Sequence, residues 1–275
     1  MGMKVLRVGV VCLLGWWAVV YVMQDKMMYP IEYVPKRSVS VLPQYGVKLE
    51  REIDEGKGRE TVEAWLMIPP VATKEKPGPL VVYGHGNGET IDMQTWMVDG
   101  YMEMGCVVLL VEYRGYGRSG GRPGQEKLRE DLVYFVDLVM GRPEVDKRRV
   151  IYHGRSLGGA VMADLSRERE PGALILESTM VSTGAFAWKY LAPAFLARNP
   201  YRTDEVVSKL NKPMLVMHGK RDDLMPVWHG KKLHELGKGS EYVEFDAGHN
   251  DLGWENREMF WKTIGDFLRK NGMVR

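Results

Sequence analysis

The chain has 275 residues, 45% hydrophobic and 27% charged, which suits one large or two small folded domains and excludes wholesale disorder. Lys and Arg number 38 against 36 Asp and Glu, a net charge of +2, so the sequence lacks the basic footprint of a dedicated nucleic-acid binder. Two cysteines, Cys12 and Cys106, exclude a disulfide framework and a Cys-rich zinc site.

Residues 5–23 (VLRVGVVCLLGWWAVVYVM) carry one charge, Arg7. About 19 residues of helix reach about 28 Å, close to the hydrocarbon thickness of a bilayer. The segment is therefore expected to be a membrane anchor, with Trp16, Trp17 and Tyr21 as boundary aromatics, although the two Trp lie deep in the span. Lys4 and Arg7 favour an N-terminus in the cytoplasm and an exported remainder; Lys26, Lys36 and Arg37 on the other side oppose this. The alternative is a cleaved secretory signal, but no small-x-small cleavage site precedes Gln24. A lipidated Cys12 is a weaker alternative, because Val11 before it is bulky.

Three units follow: residues 1–24 as anchor or signal, 25–59 as a connector with Pro30, Pro35 and Pro43 and room for short edge strands, and 60–275 as one α/β domain. Within that domain the pattern predicts strands over 61–68, 79–83, 106–113, 149–153, 173–176, 213–218 and 242–246. The run over 106–113 is almost wholly apolar, as in a strand covered on both faces. Helices are predicted over 92–104, 127–140, 157–166, 227–236 and 255–270; Leu128, Leu132, Phe135, Val136 and Val139 recur at helix spacing in the second. Strands alternating with helices of this length imply a mostly parallel sheet with helices on both faces.

Gly154-Arg155-Ser156-Leu157-Gly158 is a G-x-S-x-G pattern between a predicted strand and a predicted helix. That context makes it a nucleophile elbow, where a strained turn lifts the Ser156 hydroxyl out of the sheet. The plain reading of the same residues is a Gly-rich turn with a helix-capping Ser. A serine nucleophile needs a base, and the base needs an orienting acid. His249, in the loop after the last strand, is the candidate base. His218 is expected to fix a turn, His85 to be structural, His153 to lie in the core, and His229 and His234 to be solvated on a polar helix. Asp222, after the strand over 213–218, is the candidate acid; Asp223 beside it and Glu177 are the alternatives. The backbone N–H groups of Leu157 and of Asn87, in His85-Gly86-Asn87-Gly88, are the candidate oxyanion donors. The spacing of this second loop excludes a Walker A phosphate loop, and no H-E-x-x-H metal pattern occurs.

Taken together, His85-Gly86-Asn87, Glu112-Tyr113-Arg114-Gly115-Tyr116-Gly117-Arg118-Ser119-Gly120, the Ser156 elbow, the Asp222 loop and Ala247-Gly248-His249-Asn250 resemble the α/β-hydrolase superfamily in type and order. VEYRGYGRSGG and GRSLGG look most like its membrane-anchored, bud-emergence-related branch, over about residues 61–268. The resemblance implies an eight-stranded, mostly parallel sheet with flanking helices, a small cap or none, and an N-terminal transmembrane helix. It implies a serine hydrolase without cofactor or metal, in a branch where some relatives are thioesterases. The 114–120 turn is structural in such proteins. The expected activity is hydrolysis of a small-molecule, lipid or acyl ester or thioester; a serine peptidase and a non-catalytic binding protein are the alternatives. The apolar stretch with Phe186, Trp188, Tyr190, Leu191, Phe195 and Leu196 is expected to pack on the domain, or else to line an acyl pocket or dip into a bilayer.

Overall fold

The computed structural model describes residues 2–36, 41–56 and 58–275; Arg37, one of the flanking charges weighed above, lies outside the described residues. Helix α1 spans Gly2–Met28, and β1 spans Gly46–Asp54. The sheet continues with β2 (Arg59–Met67), β3 (Gly78–Gly84), β4 (Val107–Val111), β5 (Val145–Arg155), β6 (Ala173–Glu177), β7 (Met214–Gly219) and β8 (Glu241–Phe245). The eight strands run in the order β1-β2-β4-β3-β5-β6-β7-β8, antiparallel at β1-β2 and β2-β4 and parallel elsewhere.

β1 lies inside the stretch read from sequence as connector. Its Lys48, Glu50, Glu52 and Asp54 are exposed while Ile53 is buried, as expected of an edge strand that keeps charge toward solvent. Central strands alternate between two cores. Leu80 and Val82 of β3 and Val107, Leu109 and Val111 of β4 enter one layer with α3 (Gln125–Met140) and α4 (Leu157–Leu165). Val81, Tyr83, Val108 and Leu110 enter the other, with α2 (Thr95–Glu103) and α8 (Arg257–Lys270). Helices α5 (Thr203–Lys209), α6 (Trp228–Leu236) and α7 (Leu252–Glu255) complete the chain.

The 114–120 turn is held by buried charge. Arg114 donates to Asp131 of α3 at 2.6 and 3.0 Å, and Arg51 of β1 donates to the same carboxylate at 2.6 Å. Arg118 donates to Glu63 and Asp92. This network ties β1, β2 and α3 to the loop after β4.

The segment after β6 forms a small cap with 3₁₀ turns at Thr183–Tyr190 and Ala194–Leu196. α1 is long and apolar enough to cross a membrane, and its second half lies along this cap. The indole N–H groups of Trp16 and Trp17 donate to the carbonyls of Tyr190 and Leu191 at 2.6 and 2.8 Å. Gln24 donates to the Leu196 carbonyl and accepts from the Arg198 amide, and Asp25 pairs with Arg198 at 2.7 Å. Just beyond α1, Tyr29 is buried with its hydroxyl 2.9 Å from that of Tyr201.

Candidate active site

The chain reverses its order across the sheet at β3, with β4 on one side and β5 on the other. Loops leaving the C-terminal ends of β3 and β5 therefore diverge and open a crevice. Gly84 pairs with Gly154 across these strands, so the His85–Gly88 loop and the Ser156 turn start side by side. Ser156 has φ 54 and ψ −120, a strained conformation for a residue with a side chain. Its backbone is pinned on both sides. The amide donates to the Glu177 carbonyl at 2.8 Å, and the carbonyl accepts from the Thr179 hydroxyl at 2.6 Å. Close approach dictates the flanking glycines: a Cβ on Gly154 would strike the Gly158 carbonyl, and one on Gly158 would strike the Gly84 carbonyl.

His249 joins Ser156 and Asp222. Its Nε2 lies 2.9 Å from Ser156 Oγ, and its Nδ1 lies 2.8 Å from Asp222 Oδ2. The other carboxylate oxygen of Asp222 accepts the amides of Leu224 and Met225 at 3.1 and 2.7 Å. Burial alone would raise the Asp222 pKa; hydrogen bonds with His218, His249 and the Met225 amide outweigh it and hold the carboxyl well below the usual carboxylate range. His218 Nε2 is also 2.7 Å from the Met225 carbonyl, which fixes the turn that carries Asp222.

The two alternative acids are elsewhere. Asp223 is exposed. Glu177 is buried against His153, at 3.3 Å from its Nε2, while Tyr101 meets the other nitrogen at 2.7 Å. His85 is buried 3.0 Å from Glu112 and stacked on Tyr113. His229 departs from the solvated position expected of it. It is 1% exposed, stacked between Trp228 and Phe186, and its Nδ1 accepts the Val181 amide at 3.2 Å. Burial first, and His218 second, push its pKa down to about 4. His234 is half-buried against Ser240.

Leu157 is the first residue of α4, so its amide has no carbonyl one turn back and faces the crevice end of the helix. Asn87 is fixed through its side chain. It donates to the Met28 carbonyl at 2.7 Å and accepts from the Tyr116 hydroxyl at 2.6 Å. Sequence reasoning missed a clamp around these loops. Arg155 pairs with Glu89, and donates to the His249 carbonyl and to Asn250 Oδ1. Glu89 in turn accepts the Gly86 amide at 2.8 Å. The one available signal was a basic residue at the variable position before Ser156.

A cavity of about 300 Å³ opens beside Ser156 and Leu157. Phe186, Tyr190 and Leu196 of the cap line it, and so do Val20, Gln24 and Met27 of α1. Among the described lining residues the only charged one is Lys189. Trp188 and Phe195 face outward, 71% and 82% exposed, and do not line it.

A family model described as "Serine aminopeptidase, S33" matches residues 75–200. The "Alpha/beta hydrolase domain-containing protein WAV2" of Arabidopsis thaliana is 31% identical over 76% of this chain and 75% of its own length. "Lysophosphatidylserine lipase ABHD12" of Rattus norvegicus is 26% identical over 77% of this chain and 64% of its own. Among solved structures, the esterase Pf2001 of Pyrococcus furiosus superposes with a TM-score of 0.67 at 21% identity, over 86% of this chain and 96% of that one. With its parallel sheet, its elbow turn and these relatives, the chain belongs to the α/β-hydrolase superfamily.

Proposed function

We propose that the chain is a serine hydrolase of carboxylic esters or thioesters with long apolar acyl groups, anchored to a membrane by α1. The observation that carries this reading is the unbroken hydrogen-bond line Ser156–His249–Asp222 at the mouth of an apolar cavity. Ser156 Oγ attacks the acyl carbon as His249 Nε2 takes its proton. Asp222, ionised in its bed of amides and imidazoles, holds the Nδ1–H tautomer and stabilises the imidazolium. The developing oxyanion is held by the Asn87 and Leu157 N–H groups, each worth about 3 kcal/mol in such a hole. Collapse breaks the bond to the leaving alcohol or thiol, which receives the proton from His249. Water, deprotonated by the same imidazole, then releases the acid and returns the proton to Ser156.

A serine peptidase is the second reading, favoured by the description of the matching family model. An aminopeptidase needs an acidic group for the free amine of its substrate, whereas the one described charge along the cavity is Lys189. Lys4 and Arg7 near the start of α1 support an N-terminus in the cytoplasm and a hydrolase domain on the opposite side. The named lipase and esterase relatives support ester substrates.

The test is labelling with a fluorophosphonate probe in wild type, Ser156→Ala and His249→Ala, followed by matched ester, thioester and anilide substrates. Labelling of wild type alone and turnover of esters or thioesters above anilides is the expected result. Labelling that survives Ser156→Ala, or faster anilide cleavage, would overturn the assignment.

A further inference from the structure

We infer that the acyl chain enters the cavity from within the bilayer, between α1 and the cap, with α1 itself forming one wall of the acyl pocket. The inference rests on the serine-hydrolase reading above. Three observations lead to it. First, Val20, Gln24, Met27 and Met28 line the same cavity as Ser156, so a helix of anchor composition faces the candidate nucleophile. At about 30 Å³ per water-sized group, the cavity holds roughly ten such groups, enough for the first ten or so carbons of a chain.

Second, depth can be read from α1. A span needs about 20 residues. The 20 residues after Arg7 run to Met27, and the 20 after Lys4 run to Gln24. Trp16 and Trp17, which bond the cap, lie inside the hydrocarbon on either count. The level of Trp17 is seven residues, about 10 Å, inside even the shorter limit. On the shorter count that depth is at the upper end of the burial of interfacial segments, about 5–10 Å. The cap rim beside α1 exposes Trp188, Leu191 and Phe195 around the one charge of Lys189, a mostly apolar surface suited to acyl chains.

Third, the backbone of the cap is prepared for a medium without water. The Tyr190 and Leu191 carbonyls, which would be unpaired in hydrocarbon, are taken by the two indole N–H groups, and that of Leu196 by Gln24. The same bonds account for two Trp set too deep to be boundary residues.

The test uses the full chain in phosphatidylcholine vesicles with p-nitrophenyl butyrate, which is taken from water, and p-nitrophenyl dodecanoate, which partitions into the bilayer. Val20→Trp and Met27→Trp each narrow the wall at partly exposed positions where folding is not at stake. Each is expected to lower the ratio of kcat/KM for the dodecanoate to that for the butyrate at least tenfold. Trp188→Ala combined with Phe195→Ala removes the rim without touching the cavity. It is expected to slow the vesicle-borne dodecanoate at least threefold and leave the butyrate unchanged. An unaltered dodecanoate-to-butyrate ratio in both α1 variants, with Ser156 still labelled, overturns the α1 wall. An unaltered ratio in the rim variant overturns entry from the bilayer. Failure of the wild type to label overturns the serine-hydrolase reading and this inference with it.

Discussion

His229 offers a prediction in which sign and size both follow from the structure. The ring is buried between Trp228 and Phe186 and accepts the Val181 amide, so it is neutral in the fold. Its pKa falls from an ordinary 6.5 to about 4. Between those values the unfolded chain binds a proton that the native state refuses. Stability therefore is full above about pH 6.5, falls as the pH drops, and has lost this contribution completely near pH 4. The gap corresponds to about 3 kcal/mol at most. His229→Asn keeps an acceptor for Val181 and removes the titration. It also loses ring stacking, but that loss is the same at every pH. The assay is urea unfolding of wild type and variant in detergent micelles at intervals from pH 7.5 to 4. Acidic groups elsewhere titrate alike in both proteins and cancel in the difference. Wild type is expected to lose up to about 3 kcal/mol more than the variant across this window. Parallel curves would refute burial of a neutral imidazole at this position.

Other consequences are more direct. Asp222→Asn leaves the shape intact but no longer stabilises the imidazolium; kcat on p-nitrophenyl butyrate is expected to fall about 10³–10⁴-fold with KM little changed. A loss below tenfold would assign the acid elsewhere. Asn87→Ala keeps the backbone N–H and removes only the bonds to Met28 and Tyr116, so kcat should fall no more than about tenfold, whereas a side-chain oxyanion donor would cost about 10²–10³-fold. Gly158→Ala drives a Cβ into the carbonyls of Gly84 and His85, and is expected to destabilise the fold by about 3 kcal/mol, read as a lowered Tm.

The parallel core of the sheet was legible because its strands are covered on both faces and read as short apolar runs: PLVVY and CVVLLVEY fall on β3 and β4. β1 escaped the pattern because an edge strand carries the opposite signature. In GVKLEREID every second residue is charged toward solvent, and the inward positions include Arg51, which is half-buried and bonded to Asp131. Ser156, Asp222 and His249 were legible because each follows a strand, and strands of a parallel sheet deliver their C-terminal loops to one edge. His229 was misplaced for a related reason. Lys231, Lys232 and Glu235 make its helix polar overall, yet one turn of that helix faces His218 and the cap. Burial of a single residue by neighbours distant in sequence leaves no periodic trace. The clamp of Arg155 and Glu89 was hidden likewise, since it joins residues from loops that only the fold brings together.

α1 poses the same problem at larger scale. Hydropathy reports that the segment can dissolve in a bilayer, and says nothing of which face meets protein. Four polar side chains in its C-terminal half, Gln24, Asp25 and the Trp16 and Trp17 indoles, turn to the cap or the chain beside it. A helix that served only as a tether would need none of these bonds, and α1 would then end in a loose connector. Instead Asn87, the candidate oxyanion donor, holds the last carbonyl of α1, and Tyr29 is buried one residue later. The geometry thus couples α1 to the candidate catalytic loop through the Asn87 side chain. Substitutions in α1 that preserve its hydropathy should for this reason alter turnover, and a scan of apolar-for-apolar changes along its length should find the effects on one face only: that of Val20, Gln24 and Met27.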